Sequence, residues 1–234
     1  VSADLHAALE ATWPPAQAMR AGPWTIRDGQ GGGKRVSAVT AEGDWTDTDV
    51  DHAEAAMHDL RQPPLFMVRA GEVALDQALE RRSYRIADPT VFYSAPVDRL
   101  APFPDAMTAF AHWPPLAIVA EIWSDAGIGP ARQAVMARVS GPHVALLGRN
   151  GDRPAGAAFV ALSGDIAMVH AVEVPPALRR HGAARNLLGR AAFWAKEHGA
   201  LRLALAVTVA NAPARALYDS LGMEIGGQYH YRTR

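Results

Sequence analysis

The chain has 234 residues, of which 49% are hydrophobic and 20% charged, with a formal net charge of −1 and no cysteine. That length holds one large domain or two small ones, each with an ample core. Near-neutral charge argues against a general nucleic-acid binder, and the lack of cysteine excludes disulfide scaffolds, zinc–thiolate sites and thiol nucleophiles.

No apolar run approaches the ~20 residues of a membrane span. The first residues carry Asp4, His6 and Glu10, which does not fit a secretory leader, so a cytoplasmic protein is expected. Residues 3–11 read as a short helix stopped by Trp13-Pro14-Pro15. Gly22-Pro23 opens a predicted strand over residues 24–27. The tract Gly29-Gln-Gly-Gly-Gly33 reads as the turn of a hairpin whose return strand covers residues 35–40. The tract lacks both the following helix and the Lys-Ser/Thr of a phosphate loop, so a plain turn is the better reading. Residues 47–60 are predicted helical, with acidic side chains in the first turn where the helix dipole favours them. A strand over 65–69, a helix over 73–82 and a long strand over 84–94 follow. Residues 96–104, with Pro96, Pro102 and Pro104, read as a linker.

Beyond it, residues 116–125 and 129–139 read as two helices and 143–149 as a strand. Asn150-Gly151 is a strong hairpin signal leading to a strand over 155–162. The pattern then runs strand 165–174, helix 183–198, strand 201–209, helix 212–221 and strand 223–232.

The two halves share ordered matches. Trp13-Pro-Pro recurs as Trp113-Pro-Pro, Gly22-Pro23 as Gly141-Pro142, Gly43-Asp44 as Gly164-Asp165, and Ser83-Tyr84-Arg85-Ile86 aligns with Gly222-Met223-Glu224-Ile225. The offsets grow from 100 through 119 and 121 to 139, as expected of two copies of one unit, the first carrying two deletions. One deletion removes about one helix. The other removes the strand and loop equivalent to residues 166–184. At the offset of 139, Asn211 falls on Glu72 and Tyr218 on Leu79.

Residues 172–184 read Val-Glu-Val-Pro-Pro-Ala-Leu-Arg-Arg-His-Gly-Ala-Ala. Strand, glycine-containing turn and helix is an arrangement that points free backbone N–H groups at an anion, and Arg179, Arg180 and Arg185 add positive charge there. An ordinary turn with solvated arginines has the same outline. Arg179-x-x-Gly182-x-Ala184 fits the form Arg/Gln-x-x-Gly-x-Gly/Ala, and the tail carries Asn211, then a helix with Tyr218, then Gly222-Met223. Together these resemble the two signatures of the GNAT superfamily of N-acetyltransferases.

The resemblance implies an α/β (α+β) fold, a mixed and mostly antiparallel twisted sheet flanked by helices. A truncated copy in residues 1–95 would precede an acetyltransferase domain in 96–234, as two similar mixed sheets in one compact body. It implies acetyl-CoA as co-substrate, with no metal, and a small-molecule or peptide amine as acceptor. No nucleic-acid or membrane partner is implied, and the protein would be a monomer or homodimer. Val172, Glu173 and Val174 would hold the pantetheine arm, a backbone N–H there would receive the oxyanion, and Arg179, Arg180, His181, Gly182, Ala183, Ala184 and Arg185 would cradle the pyrophosphate. Asn211 would meet the cofactor arm, or simply cap its helix. Tyr218 would protonate the thiolate, or pack as a core aromatic.

His170 stands nine residues before Arg179, where arylalkylamine acetyltransferases carry a histidine. It would serve as the amine's base, or sit satisfied in the core. On an ideal strand Glu173 faces away from His170 and ranks lower. Glu121 is the other candidate base, with a solvated helix face as its alternative. Trp113 and Trp123 would line the acceptor pocket or merely pack. The competing functional class is a catalytically idle acyl-CoA-binding or regulatory module.

Overall fold

The computed structural model of the chain describes residues 2–100 and 107–234. Helix α1 (Ser2–Thr12) ends at Trp13-Pro14-Pro15. Strands β1 (Gln17–Ala21) and β2 (Trp24–Asp28) form a hairpin around Gly22 at φ 58°, and β3 (Thr40–Ala41) pairs with β2 to complete a three-stranded sheet. Then come α2 (Asp47–Asp59), β4 (Leu65–Arg69), α3 (Val73–Arg81), β5 (Arg85–Pro96) and the short α4 (Val97–Leu100). The second half holds β6 (Ala109–His112), α5 (Ala117–Asp125), α6 (Pro130–Ala137), β7 (His143–Asn150), β8 (Arg153–Ser163), β9 (Ile166–Glu173), α7 (Ala183–Glu197), β10 (Arg202–Thr208), α8 (Ala212–Ser220) and β11 (Glu224–Thr233).

The first hairpin therefore turns at Gly22-Pro23 and not at the glycine tract. Residues 35–40 are no return strand: Lys34–Val36 is a 3₁₀ turn. β1 is exposed at every position, so it carries no apolar alternation for a sequence reading to find. The glycine tract instead packs against α6. A Cβ at Gly32 would lie 2.7 Å from a Val135 methyl, so only glycine fits there. The expected linker is regular as far as Leu100; residues 101–104 lie outside the described residues.

Two similar sheets do not form. Eight strands make one sheet in the order β4-β11-β5-β10-β9-β8-β7-β6, so β5 from the first half lies between β10 and β11 of the second. The segments 1–95 and 96–234 both contribute strands to it. The exchange is reciprocal. Between β5 and β11, Arg85 faces Thr233 and Ser94 faces Glu224. Residues 85 and 224, and 94 and 233, are each 139 apart. Between β4 and β11, Leu65 faces Thr233 and Arg69 faces Tyr229. Between β10 and β5, the residues 139 further on, Ala204 and Thr208, face Ser94 and Thr90.

The units β4-α3-β5 and β10-α8-β11 are thus related by a pseudo-two-fold axis between β5 and β11, each giving its last strand to the other. The match of Ser83-Tyr84-Arg85-Ile86 with Gly222-Met223-Glu224-Ile225 sits on this equivalence. The other three matches fall in different surroundings: Trp13 follows a helix and Trp113 a strand, for example.

Alternating side chains of the sheet feed two cores. Val144, Leu146, Ala158, Val160, Ala167 and Val169 pack with α7 and Tyr218 of α8. Ala145, Leu147, Ala157, Phe159 and Ala161 pack with α5, α6 and Trp13 on the opposite face. On that same side α1 seals Phe92, Met168, Ala204, Tyr229 and Tyr231. Phe92 and Tyr93, neighbours on β5, are fully buried on the two faces of the sheet. Burial of such a side chain is worth about 1.5–3 kcal/mol.

This predicts that the halves cannot part. Cleavage at a protease site engineered between Leu100 and Met107 should leave both pieces in one peak on size-exclusion chromatography, separable only in denaturant. Two folded, separately eluting pieces from native cleaved protein would contradict the strand exchange.

Candidate functional site

β9 and β10 run parallel, but their pairing covers only Ile166–Val169 against Arg202–Leu205. Beyond it the strands splay. At the splay β9 carries a bulge: Phe159 faces His170 and Ala157 faces Glu173, so three steps on β9 oppose two on β8. Ala171, at φ 51°, absorbs the extra residue. A non-glycine residue there is strained by about 1–3 kcal/mol. The Trp123 indole N–H donates to the Ala171 carbonyl at 2.9 Å and holds it in place. Trp123 is fully buried in this role, whereas Trp113 lies half outside, against His143.

The bulge also reverses the ideal alternation. Ala157 and Phe159 share a face, so Glu173 and His170 share one too, on the side of α5 and α6. The expectation that Glu173 faces away is corrected by one extra residue. Glu173 is half-buried. Burial pushes its carboxyl pKa up, while Arg179 and Arg132 nearby work against the shift.

On the α7/α8 face a cleft of about 640 Å³ opens from the splay. Val172, Glu173, Val174, Arg179, Arg180, Gly182, Ala183, Ala184, Arg185, Asn211 and Tyr218 all line it. The loop is folded by Arg179, whose Nε donates to the Val174 carbonyl at 3.0 Å. Gly182, at φ 85°, is the N-cap of α7 and makes no side-chain cap, so the first N–H groups of a 15-residue helix have no side-chain partner. A Cβ on Gly182 would meet no protein atom within 4 Å, so the space before the helix end is open. Arg185 donates to the Ser220 hydroxyl at 2.8 Å and ties α7 to α8. Asn211 caps α8 through the Ala214 N–H at 3.2 Å. Tyr218 packs 5.4 Å from the Tyr93 ring, and burial, with Glu173 and Tyr93 adding to it, pushes its pKa up to about 12. His181 is exposed and outside the lining; Glu121 is exposed on α5 and lines neither this cleft nor the chamber opposite.

The first half closes the corresponding place. Shifted by 139, α2 overlaps α7. Its end is sealed by a capping box between Thr46 and Asp49, and Asp47 and Asp49 set negative charge where a phosphate would sit.

On the other face a chamber of about 300 Å³ reaches the same splay. Ala171 and Thr208 border it, with Ile128, Arg132, Tyr229 and Tyr231; Trp13, Gly32, Gly33, Lys34, Arg35, Asp88 and Thr90 come from the first half. His170 lies buried behind it. The Thr12 hydroxyl donates to the Ala8 carbonyl at 2.6 Å, so at 2.8 Å from Nε2 of His170 it accepts that N–H. The other nitrogen, Nδ1, accepts from Arg35 at 3.3 Å. Burial, and then the Arg35 charge, lower the His170 pKa well below 6.5. Neither nitrogen is free to take an amine's proton: here the imidazole positions a guanidinium. Sequence reasoning missed Arg35, Trp13 and Tyr229 because they reach the chamber through pairings across the two halves.

Among the described residues no helix is long and apolar enough to cross a membrane, and no cluster of metal-ligating side chains occurs. No curated protein matches the chain. Solved structures do. A GCN5-related N-acetyltransferase from Kribbella flavida superposes with a TM-score of 0.71 at 18% identity, covering 100% of this chain and 95% of that one. Another from Sphaerobacter thermophilus gives 0.65 at 13%, covering 91% and 76%. A tandem GNAT protein from the clavulanic acid biosynthesis pathway gives 0.63 at 14%, covering 97% and 86%. At such identities they speak for the fold. The family model for the acetyltransferase (GNAT) family matches residues 107–223, half of the chain, which contains the splayed strands, the arginine loop and Tyr218; the chain belongs to that family.

Proposed function

We propose that the chain moves an acetyl group from acetyl-CoA to a primary amine by direct attack within a ternary complex. The observation that carries this reading is the open, uncapped N-terminus of α7 beside Arg179, Arg180 and Arg185, at the head of a cleft with a second chamber on the opposite face of the β9–β10 splay. The uncapped helix end suits a pyrophosphate, because its N–H groups and dipole favour negative charge. The edge of β9 at Val172–Val174 offers backbone groups to an amide-bearing arm. A backbone N–H beside the bulge would donate to the oxyanion as the amine's lone pair attacks the thioester carbonyl.

Glu173 is the base in this scheme. Its half-buried carboxyl takes the proton that the attacking amine sheds, and its raised pKa brings it closer to that task. The C–S bond breaks as the tetrahedral intermediate collapses, and Tyr218 gives its phenolic proton to the departing thiolate. With a pKa of about 12, Tyr218 stays protonated across the working range.

Titration with acetyl-CoA, followed by a CoA-release assay over an amine panel, tests the reading. Binding without turnover on any amine would favour the idle acyl-CoA-binding module. Gly182→Val should weaken acetyl-CoA binding at least tenfold in a folded protein: it puts a β-branched side chain at positive φ and into the open space before α7. Unchanged affinity would sink the loop assignment.

The pH profile separates the two candidate bases. A base works deprotonated, so kcat/KM should fall as pH drops through the raised Glu173 value. Glu173→Gln should remove that limb and cost about 10²–10⁴-fold, the residual rate climbing with pH as free amine accumulates. His170→Gln should keep the limb. Loss of the limb in the His170 variant alone would return the base to His170. Tyr218→Phe should lower kcat by a comparable factor with acetyl-CoA affinity nearly intact.

A further inference from the structure

The acceptor chamber contains a cation that has no counter-ion among the described residues. Arg35 stands half-buried at its floor, and its Nε is buried with no hydrogen-bond partner. The groups around it are neutral: His170, held as the neutral imidazole, and the phenols of Tyr229 and Tyr231. Burial works against the Arg35 charge and hydrogen bonding to the two phenol oxygens favours it, and a guanidinium keeps its proton throughout the working range. Burial raises the Tyr231 pKa as well, which keeps that phenol neutral.

No carboxylate pairs with Arg35 among the described residues. The neighbouring chamber, which Arg35 also borders, holds Glu10, Glu42 and Glu72. Glu10 pairs with Arg27 at 2.9 Å, Glu42 with Arg69 at 3.6 Å and Glu72 with Arg69 at 2.9 Å. A desolvated charge with no partner is costly, and the structure retains this one beside open space.

Two further cations share the chamber. Arg132 of α6 lies over Gly33, where an added Cβ would sit 3.2 Å from its Nε. Lys34 pairs with Asp88 at 2.6 Å at the rim. Among the described residues, three cations against one carboxylate leave the lining positive. The tightly packed glycine tract presents Lys34 and Arg35 to the splay, a use that its reading as a plain turn did not supply.

We propose that the acceptor amine carries a carboxylate: the substrate is an amino acid, its anion held by Arg35 with Arg132 beside it and its amine directed toward the splay. A planar carboxylate matches a guanidinium fork, and a chamber of about 300 Å³ suits a molecule of that size. This deepens the acetyltransferase reading and rests on it for the amine, but the anion site stands on its own geometry.

The test is calorimetric and needs no turnover. The full chain, alone and saturated with CoA, is titrated with the α-amino acids and short ω-amino acids, each against its own primary amide, and with phosphoethanolamine. At least one amino acid should bind ten- to a hundredfold more tightly than its amide, the weight of a charge-assisted hydrogen bond. Arg35→Gln should bring that ratio to about one, with unchanged acetyl-CoA affinity reporting that the variant is folded. Arg132→Gln, on an exposed side chain, should reduce it only a few-fold.

Equal binding of acids and amides, binding of phosphoethanolamine alone, equal loss of both ligands in Arg35→Gln, or no binding by any titrant would each overturn the proposal. Discrimination by charge with no CoA release from any amine would defeat the transferase reading and leave the anion site standing. Turnover of uncharged amines without preference would do the reverse.

Discussion

The pairing of β5 with both β10 and β11 sets the terms for the rest of the molecule. A first-half strand runs antiparallel within the sheet and separates the last two strands of the second half. Its backbone ladder is buried on both faces, between Phe92 against α1 and Tyr93 against Tyr218. The same pairing brings Tyr229 and Tyr231 of β11 beside Arg35. It also sets Thr90, at the end of the β5–β10 register, opposite Thr208 at the splay. The chamber that Arg35 borders is thus a product of the exchange, with lining from each half.

The two faces of the splay are electrically distinct. On the α7/α8 face positive charge comes from exposed arginines, two of them tied down by hydrogen bonds, together with a helix end that its cap residue leaves open. On the other face a guanidinium is held by an imidazole and two phenols, none of which can cancel its charge. The bulge at Ala171 joins them. It turns Glu173 to the α5/α6 face while Val172 continues to pack toward α7, so consecutive residues of one strand face the two sides of the sheet.

Much of this was legible in the residues. The Arg179–Ala184 pattern and the Asn211/Tyr218 signature led to residues that, His181 apart, line one cleft, and helix and strand positions in the second half follow the apolar periodicity closely, except for the four-residue β6, which was not read. The Ser83–Ile86 match carried the true offset of the repeat. What escaped has physical causes. Periodicity tells which face of a strand is buried but not which strand lies beside it, so the exchange was invisible. A bulge leaves no signature when its extra residue is Ala171 and not glycine, so Glu173 was put on the wrong face. Arg35 lies 135 residues from His170, and nothing local marks a guanidinium that will be desolvated. The short repeats Trp13-Pro-Pro and Gly22-Pro23 looked informative because proline and glycine recur wherever elements end.

The reciprocal strand exchange also changes how the protein answers to concentration. Two separate copies that traded strands would form an assembly whose population follows mass action, loosening on dilution and tightening on crowding together. Here both partners belong to one chain, and each meets the other at an effective concentration fixed by the intervening polypeptide. This pairing within the sheet, and the chamber built on it, therefore does not depend on the protein's concentration. A pairing that separate copies would hold only by association is here an internal property of one chain.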